Sequence, residues 1–582
     1  MMKKMTALCA AALMTLSLAA CGSSDSSAAD SSGAGSSDSE NKGAVTLYDD
    51  ERHPVETQPV VESMGDLDLS EVQNEQNVPE DFKLELEAET GELDSAGVLK
   101  TASQGDFTGE GFVLMPGADS SMTLSFELET AGNYDIVIVS AGDSSSGGSG
   151  ALELDGEALP NYIINSNKFS AATLPNVEIG EGSHTLTFKG AETKICIDSV
   201  TLTGAGAVDL EQYKVDRALI NPDASDETKR LYSFLCDTYG KYTLSGQYSS
   251  DNMGPTCAEF YKIKDETGKT PAVLGLDFIE VSPSRVQCSI NREAYDSDEA
   301  YDAAVRQESD KRAKVLIDQA IDWYNNQGGV VTFCWHWNAP VDYIDQSEWW
   351  KGFYSENTTF SLSKAISKED QKGYDYLVSD IDTLARYLKV LDDNHVPILW
   401  RPLHEAGGDP KWHNPWFWWG SSGNGAYIEL WKLMYDRLTN YHHINNLIWV
   451  WNGQDPDYYV GDDFCDIVGY DIYPEGGDTS SQKPIFDLMK STIGENKIIA
   501  LTENGVIPDP DATFADGSRW SWFATWNGEF CINGDFELNP DYTPLETWKK
   551  IYNSERVLTL DELPDLKCYP IDSSAFLDGN AG

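Results

Sequence analysis

From about Lys241 onward the chain is written as strand-length apolar runs separated by amphipathic stretches of helical length, and this alternation leaves few folds open. Eight runs recur: Tyr242–Tyr248, Pro271–Phe278, Gly329–Trp337, Val396–Glu405, Asn446–Asn452, Asp466–Pro474, Ile498–Gly505 and Trp520–Trp526. Helices are expected between them at Gln307–Asn326, Tyr374–Asn394, Gly425–His443 and Ser481–Gly494. In the second of these, Leu377, Ile381, Leu384, Tyr387, Leu388 and Leu391 fall at helical spacing. Near-continuous apolar strands are buried on both faces, so a closed (β/α)8 barrel is favoured over an open doubly wound sheet. No glycine-rich phosphate loop follows any run, which leaves nucleotide binding without support.

At 582 residues the chain exceeds a single core, and two folded domains are expected. All seventeen tryptophans lie between Trp323 and Trp548. The tryptophan-free half alternates with period two in short segments such as Lys83–Thr90, Ser121–Leu128, Asn133–Ser140 and Ile195–Leu202, separated by Gly, Asn, Ser and Asp turns. That pattern predicts an all-β jelly roll or β-sandwich. The expected order is a signal at 1–20, an extended linker at 21–81, the sandwich at 82–204, the (β/α)8 domain at 205–556 and a tail at 557–582.

Met1-Met2-Lys3-Lys4 followed by an apolar run to Ala20 reads as a secretion signal, too short to span a bilayer permanently. Its end, Leu18-Ala19-Ala20-Cys21, resembles a bacterial lipobox, which implies lipidation of Cys21 and anchoring at the cell surface. Residues 22–42 are almost wholly small or polar and suit a stalk. Beyond Cys9 and Cys21, eight of the ten cysteines remain, with no zinc-ligand spacing; most are expected to be buried small side chains. Ninety-six acidic against 41 basic residues give a formal charge of -55, which would repel nucleic acid, anionic membranes and acidic polysaccharides. A neutral substrate fits, and a monomer is expected.

Barrel enzymes carry their catalytic groups at the C-terminal ends of the strands. The fourth run closes on Trp400-Arg401-Pro402-Leu403-His404-Glu405 and the seventh on Leu501-Thr502-Glu503-Asn504-Gly505. One such glutamate is usually structural; a pair on these strands can sit across a glycosidic bond. Hydrolysis there needs one carboxyl protonated to assist the leaving oxygen and one ionised to attack, about 5 to 5.5 Å apart in a retaining enzyme.

These motifs, together with Leu244-Ser245-Gly246-Gln247, Pro271–Phe278, Thr332-Phe333-Cys334-Trp335-His336-Trp337 and Trp416-Phe417-Trp418-Trp419-Gly420, make residues 230–555 similar to glycoside hydrolase family 26. The resemblance implies a retaining endo-β-1,4-mannanase acting on mannan, glucomannan or galactomannan, with Glu405 as acid/base, Glu503 as nucleophile and no catalytic cofactor. It further implies that His404 orients nucleophile and sugar, that Tyr470 donates a hydrogen bond to the nucleophile, and that Arg401, His336, Trp416 and Trp526 line the substrate site. Trp323, Trp431 and Trp548 lie in helical patterns and are expected in the core. Two departures bear on subsites: the insert Gly407–Pro415, and Asn504 where the family commonly has an aromatic residue.

The sandwich resembles a carbohydrate-binding module of family 35. That resemblance implies a structural calcium at Glu87, Glu89 and Asp198, since calcium prefers oxygen ligands. With no tryptophan present, a glycan platform would have to come from Tyr162, Phe169 or Phe112. Three alternatives stand beside the mannanase: a β-1,3-1,4-glucanase or β-1,3-xylanase using the same carboxylates, a non-catalytic surface glycan-binding lipoprotein, which would predict a missing carboxylate, and a metal-dependent hydrolase at His404, Glu405 and His413, which lacks further ligands.

Overall fold

The computed structural model describes residues 67–72, 78–79, 81–93, 99–102, 105–143, 148–159, 161–164, 166–191, 193–250, 253–408 and 414–572. Cys21 and His413 lie outside them. Among the described residues no helix is long and apolar enough to cross a membrane.

Residues 82–204 build two antiparallel sheets. In one, the strands Ser170–Ile179, Gly132–Ala141, Ile195–Gly204, Phe112–Met115 and Leu99–Thr101 follow in that order, with Lys83–Glu87 pairing Ile195–Gly204. In the other, Ser121–Leu128 and Gly182–Lys189 are central, flanked by Glu92–Leu93 and Gly148–Leu154. The alternation seen in the sequence is the burial pattern: Met122, Leu124, Phe126 and Leu128 point inward, against Ile136, Ile138, Leu186, Phe188, Val200 and Leu202. Tyr162 and Phe112 are 1% exposed, and Phe169 packs edge-on to Phe112 with ring centroids 5.1 Å apart. The first two belong to the core and offer no open face to a glycan, because a small module without tryptophan needs its aromatics as filling.

The second domain is a closed barrel of eight parallel strands: β1 Gly246–Tyr248, β2 Val273–Asp277, β3 Val330–Cys334, β4 Ile398–Arg401, β5 Leu447–Trp451, β6 Ile467–Ile472, β7 Ile498–Asn504 and β8 Phe523–Thr525. Each lies within one of the eight apolar runs. Every residue of β3, β4, β5, β6 and β7 is buried, as expected of strands packed between a barrel interior and a helical shell. The helix Gln371–Asp393 begins where Asp370 accepts the Gly373 N–H and buries all six predicted apolar residues. Trp323, Trp431 and Trp548 are core residues, at most 2% exposed. Asp298–Asp322 starts nine residues ahead of the expected helix; its first turn is polar, and Ser297 caps it by accepting the Ala300 N–H.

Two boundaries differ from expectation. Val557–Leu558, placed in a tail, pairs in parallel with Thr243–Leu244, and Tyr569 lies edge-on to Phe234 in helix Asp226–Thr238, so the chain to about residue 572 belongs to the barrel. Residues 67–72, placed in a linker, lie against the barrel: Arg519 donates to Val72 O at 2.8 Å, and the Tyr242 hydroxyl to Asp68 O at 3.1 Å. Both segments satisfy buried polar groups that a sequence pattern does not reveal. The sandwich also touches the barrel, strand Ser170–Ile179 lying on helix Pro510–Asp516, with Asn176 donating to Ala515 O at 3.0 Å.

Candidate active site

The backbone turns sharply after β4. Leu403 and Glu405 both have left-handed φ, 52° and 53°, which costs energy in residues other than glycine. The turn is held by β5, whose end accepts the Glu405 N–H at Asn452 O (2.7 Å) and the Gly407 N–H at Gly453 O (2.8 Å). Glu405 is thereby carried over the barrel mouth, 8% exposed, where the Trp416 indole donates to Oε2 at 2.7 Å.

Glu503, near the end of β7, is 3% exposed. Arg401 on β4 forms an ion pair with its Oε1, and the Tyr473 hydroxyl donates to Oε2 at 2.7 Å. Arg401 also donates to Asp471 Oδ2 at 2.7 Å and to the Tyr248 hydroxyl at 3.0 Å. Asp471 Oδ1 takes hydrogen bonds from Asn452 and Thr502, both at 2.7 Å. One oxygen from each of Glu405, Asp471 and Glu503 lies within 4.8 Å of the others.

Two of the three carboxyls therefore share one guanidinium, and the geometry decides which of the three keeps a proton. Burial raises Glu405 well above the usual range, and the charges of Asp471 and Glu503 push it further; among the described residues no cation pairs with it. Burial also raises Glu503, to about 7, but the contact with Arg401 opposes it. The proton of this coupled pair thus resides on Glu405 and the charge on Glu503. That is the division of labour which glycosidic cleavage by a pair of carboxyls demands. The same three carboxyls have a composition that could bind a cation, but Arg401 already supplies the positive charge inside the cluster.

The predicted residues converge on this mouth, with two corrections of role. The hydroxyl donated to Glu503 comes from Tyr473 rather than Tyr470, because side chains alternate along a strand and Tyr473 shares the face of Asp471. Tyr470, 7% exposed, is buried in β6. Arg401, expected to bind substrate, is fully buried and spends its donors on Glu503, Asp471 and Tyr248, so it holds the carboxylates and has no surface left for a sugar. His404 packs against Phe417 and Trp419 and lies with its Nε2 3.2 Å from His336 Nε2. His336 and Trp526 border the opening, their rings 5.6 Å apart, with Trp526 leaning on Tyr248 at 4.7 Å. Asn504 is fully buried and donates to the Thr525 hydroxyl, which ties β7 to β8.

Sequence reasoning missed Asp277, Asn452, Asp471 and Tyr473. Their one legible signal was position: each lies at or just past the end of a barrel run.

In the sandwich, Glu87, Glu89 and Asp198 meet around one turn. Thr108 Oγ1 lies 3.0 Å from both Glu87 Oε2 and Asp198 Oδ2, and the Glu110 N–H donates to Glu89 Oε1 at 2.7 Å. Glu89 Oε2 is buried, with no hydrogen-bond partner among the described residues. Gly109, at φ 61°, allows the approach: a Cβ there would stand 2.5 Å from Glu89 Oε1.

The chain is similar to known proteins over most of its length. The pattern of the family described as Glycosyl hydrolase family 26 matches residues 220–305 and 296–562. The chain is 35% identical to a mannan endo-1,4-beta-mannosidase of Thermothelomyces thermophilus, over 81% of this chain and 88% of that protein. It is 31% identical to mannan endo-1,4-beta-mannosidase B of Piromyces sp, over 86% and 80%. Among solved structures it is similar to a Podospora anserina GH26-CBM35 beta-(1,4)-mannanase, with a TM-score of 0.56 and 32% identity over 83% of this chain and 99% of that one. A ruminal GH26 endo-beta-1,4-mannanase matches with a TM-score of 0.53 and 27% identity over 83% and 98%. With two carboxyls at the ends of β4 and β7 poised for opposite protonation states, and with a family pattern running the length of the barrel, this chain belongs to glycosyl hydrolase family 26.

Proposed function

We propose that the protein is a retaining endo-β-1,4-mannanase that cleaves mannan, glucomannan or galactomannan by double displacement. The observation that carries this reading is the paired environment of the two glutamates: Glu405 buried beside two carboxylates and bonded to Trp416, Glu503 against Arg401 and Tyr473. Glu405 protonates the leaving oxygen while Glu503 attacks the anomeric carbon; Glu405 then takes the proton of the water that releases the glycosyl enzyme. Trp416 and Trp526 present apolar faces to the C–H surfaces of the sugars. The names of the Thermothelomyces and Piromyces relatives support mannan as substrate.

The test is hydrolysis of glucomannan, galactomannan, barley β-glucan and β-1,3-xylan by the chain from residue 43 onward, with Glu405→Ala and Glu503→Ala beside it. Cleavage of mannans alone, lost by orders of magnitude in both variants, is expected. Preference for β-glucan or xylan would overturn the substrate, and activity surviving Glu503→Ala would overturn the mechanism.

The sandwich is read as a family 35 type carbohydrate-binding module with a calcium ion at Glu87, Glu89 and Asp198. The approach of Glu87 and Asp198 to Thr108 and of Glu89 to Glu110 supports this, as does the Glu89 oxygen that has no hydrogen-bond partner among the described residues and that an oxygen-seeking cation would satisfy. The lipobox-like Leu18–Cys21 supports export and lipid anchoring at the cell surface.

A further inference from the structure

Asp277, at the end of β2, accepts three hydrogen bonds on two oxygens. Oδ1 takes the backbone N–H groups of Ile279 (2.8 Å) and His336 (3.1 Å), while Oδ2 lies 2.6 Å from His336 Nδ1. Three donors on its two oxygens favour the ionised form of this carboxyl. An ionised carboxylate only accepts, so the proton of that short contact belongs to His336 Nδ1.

The other ring nitrogen faces His404, Nε2 to Nε2 at 3.2 Å. His404 is 1% exposed, and burial, with Arg401 and His336 beside it, pushes it well below its usual range, so its ring carries one proton. Its Nδ1 is buried, with no hydrogen-bond partner among the described residues. An orphaned N–H is costlier there than an orphaned lone pair, which places the His404 proton on Nε2, directed at His336. His336 Nε2 must then be a lone pair. The remaining groups around this ring are Cys334 on β3, the charge of Glu503 on β7, and the rings of Phe353, Phe417 and Trp526.

We propose that Asp277 is a positioning residue for the hydrolytic reaction: it fixes His336 in the Nδ1–H tautomer, whose Nε2 lone pair accepts the His404 N–H, and so holds both rings at the barrel mouth in one proton arrangement. This role rests on the hydrolase reading above; the tautomer does not.

Asp277→Asn isolates the effect. The carboxamide oxygen has to stay with the two backbone donors, which turns its NH2 toward His336 Nδ1 and drives the ring proton to Nε2. That N–H then meets His404 Nε2 and forces the second ring to place its own proton on the orphan site. With eight histidines in the chain, ring 15N spectra can assign both rings. In the wild type His336 is expected as Nδ1–H and His404 as Nε2–H, and in Asp277→Asn both invert. On mannan the variant is expected to lose at least about tenfold in kcat with KM changed less than about twofold, as for other misdirected histidines. An Nε2–H His336 in the wild type overturns the proposal whether or not the variant folds. So does inversion with kcat unchanged, or a kcat loss without inversion. If the wild type cuts another β-glycan and not mannan, the named substrate fails, and the same two readouts on that glycan decide the role of Asp277.

Discussion

Glu405 and Glu503 are the same amino acid in one pocket, and their neighbours alone make them different reagents. Trp416 donates to Glu405 and so favours its ionised form; Trp416→Phe is expected to move the alkaline limb of the kcat/KM profile to higher pH, which a pH titration of initial rates would register. Glu405→Ala should lose far more activity on mannan than on an aryl β-mannobioside whose leaving group departs unaided. Azide should restore turnover of the aryl substrate and yield the β-configured glycosyl azide, while an α-azide would contradict retention. Stability carries the same imprint. A carboxyl raised on folding contributes fully below the unfolded value near 4.5, and that contribution is lost as pH climbs toward the folded value. Glu405→Gln is therefore expected to melt above the wild type at pH 8, by an amount that shrinks toward pH 4.5, in paired thermal scans.

Among the elements, the junction between β3 and the helix Gln371–Asp393 stores a cost of the same kind. Asp380 on that helix is buried with the Trp337 indole as its donor at 2.8 Å, and burial raises it to about 7. Folding thus loses stability between pH 3.8 and 7 through this group. A shift of this size corresponds to roughly 4 kcal/mol above pH 7, so Asp380→Asn should raise the urea midpoint at pH 8 and leave it unchanged at pH 3.5. Elements of this kind were legible where one physical rule dominated. Apolar runs marked all eight strands because a parallel barrel buries both faces, and Glu405 and Glu503 were legible because strand ends face the mouth. The motif points to Tyr470, and Tyr473 takes the role, because a motif gives spacing but not which face survives the bulge at Tyr470/Asp471. Arg401 was read as a sugar contact because sequence shows a guanidinium and not the three partners that consume it. Asp277 escaped notice since its importance lies in a proton on another residue.

For the whole molecule, the sandwich and the barrel are stabilised by different means, the one by a tryptophan-free core of aliphatic, Phe and Tyr side chains with an acidic turn, the other by a tryptophan-rich core. Calcium should therefore raise the unfolding temperature of the sandwich, with EGTA reversing it, by the linkage expected of a ligand that binds only the folded state. Hydrolysis of short soluble oligosaccharides should be unaffected, and calorimetry beside rate measurements would show both. An unchanged melting curve would leave the three carboxylates without a cation. The left-handed turn that carries Glu405 into a pocket already holding two carboxylates has a practical corollary for anyone who would harden this enzyme. A selection for heat tolerance that did not also score hydrolysis would be drawn to position 405, and its most robust winners would be inert.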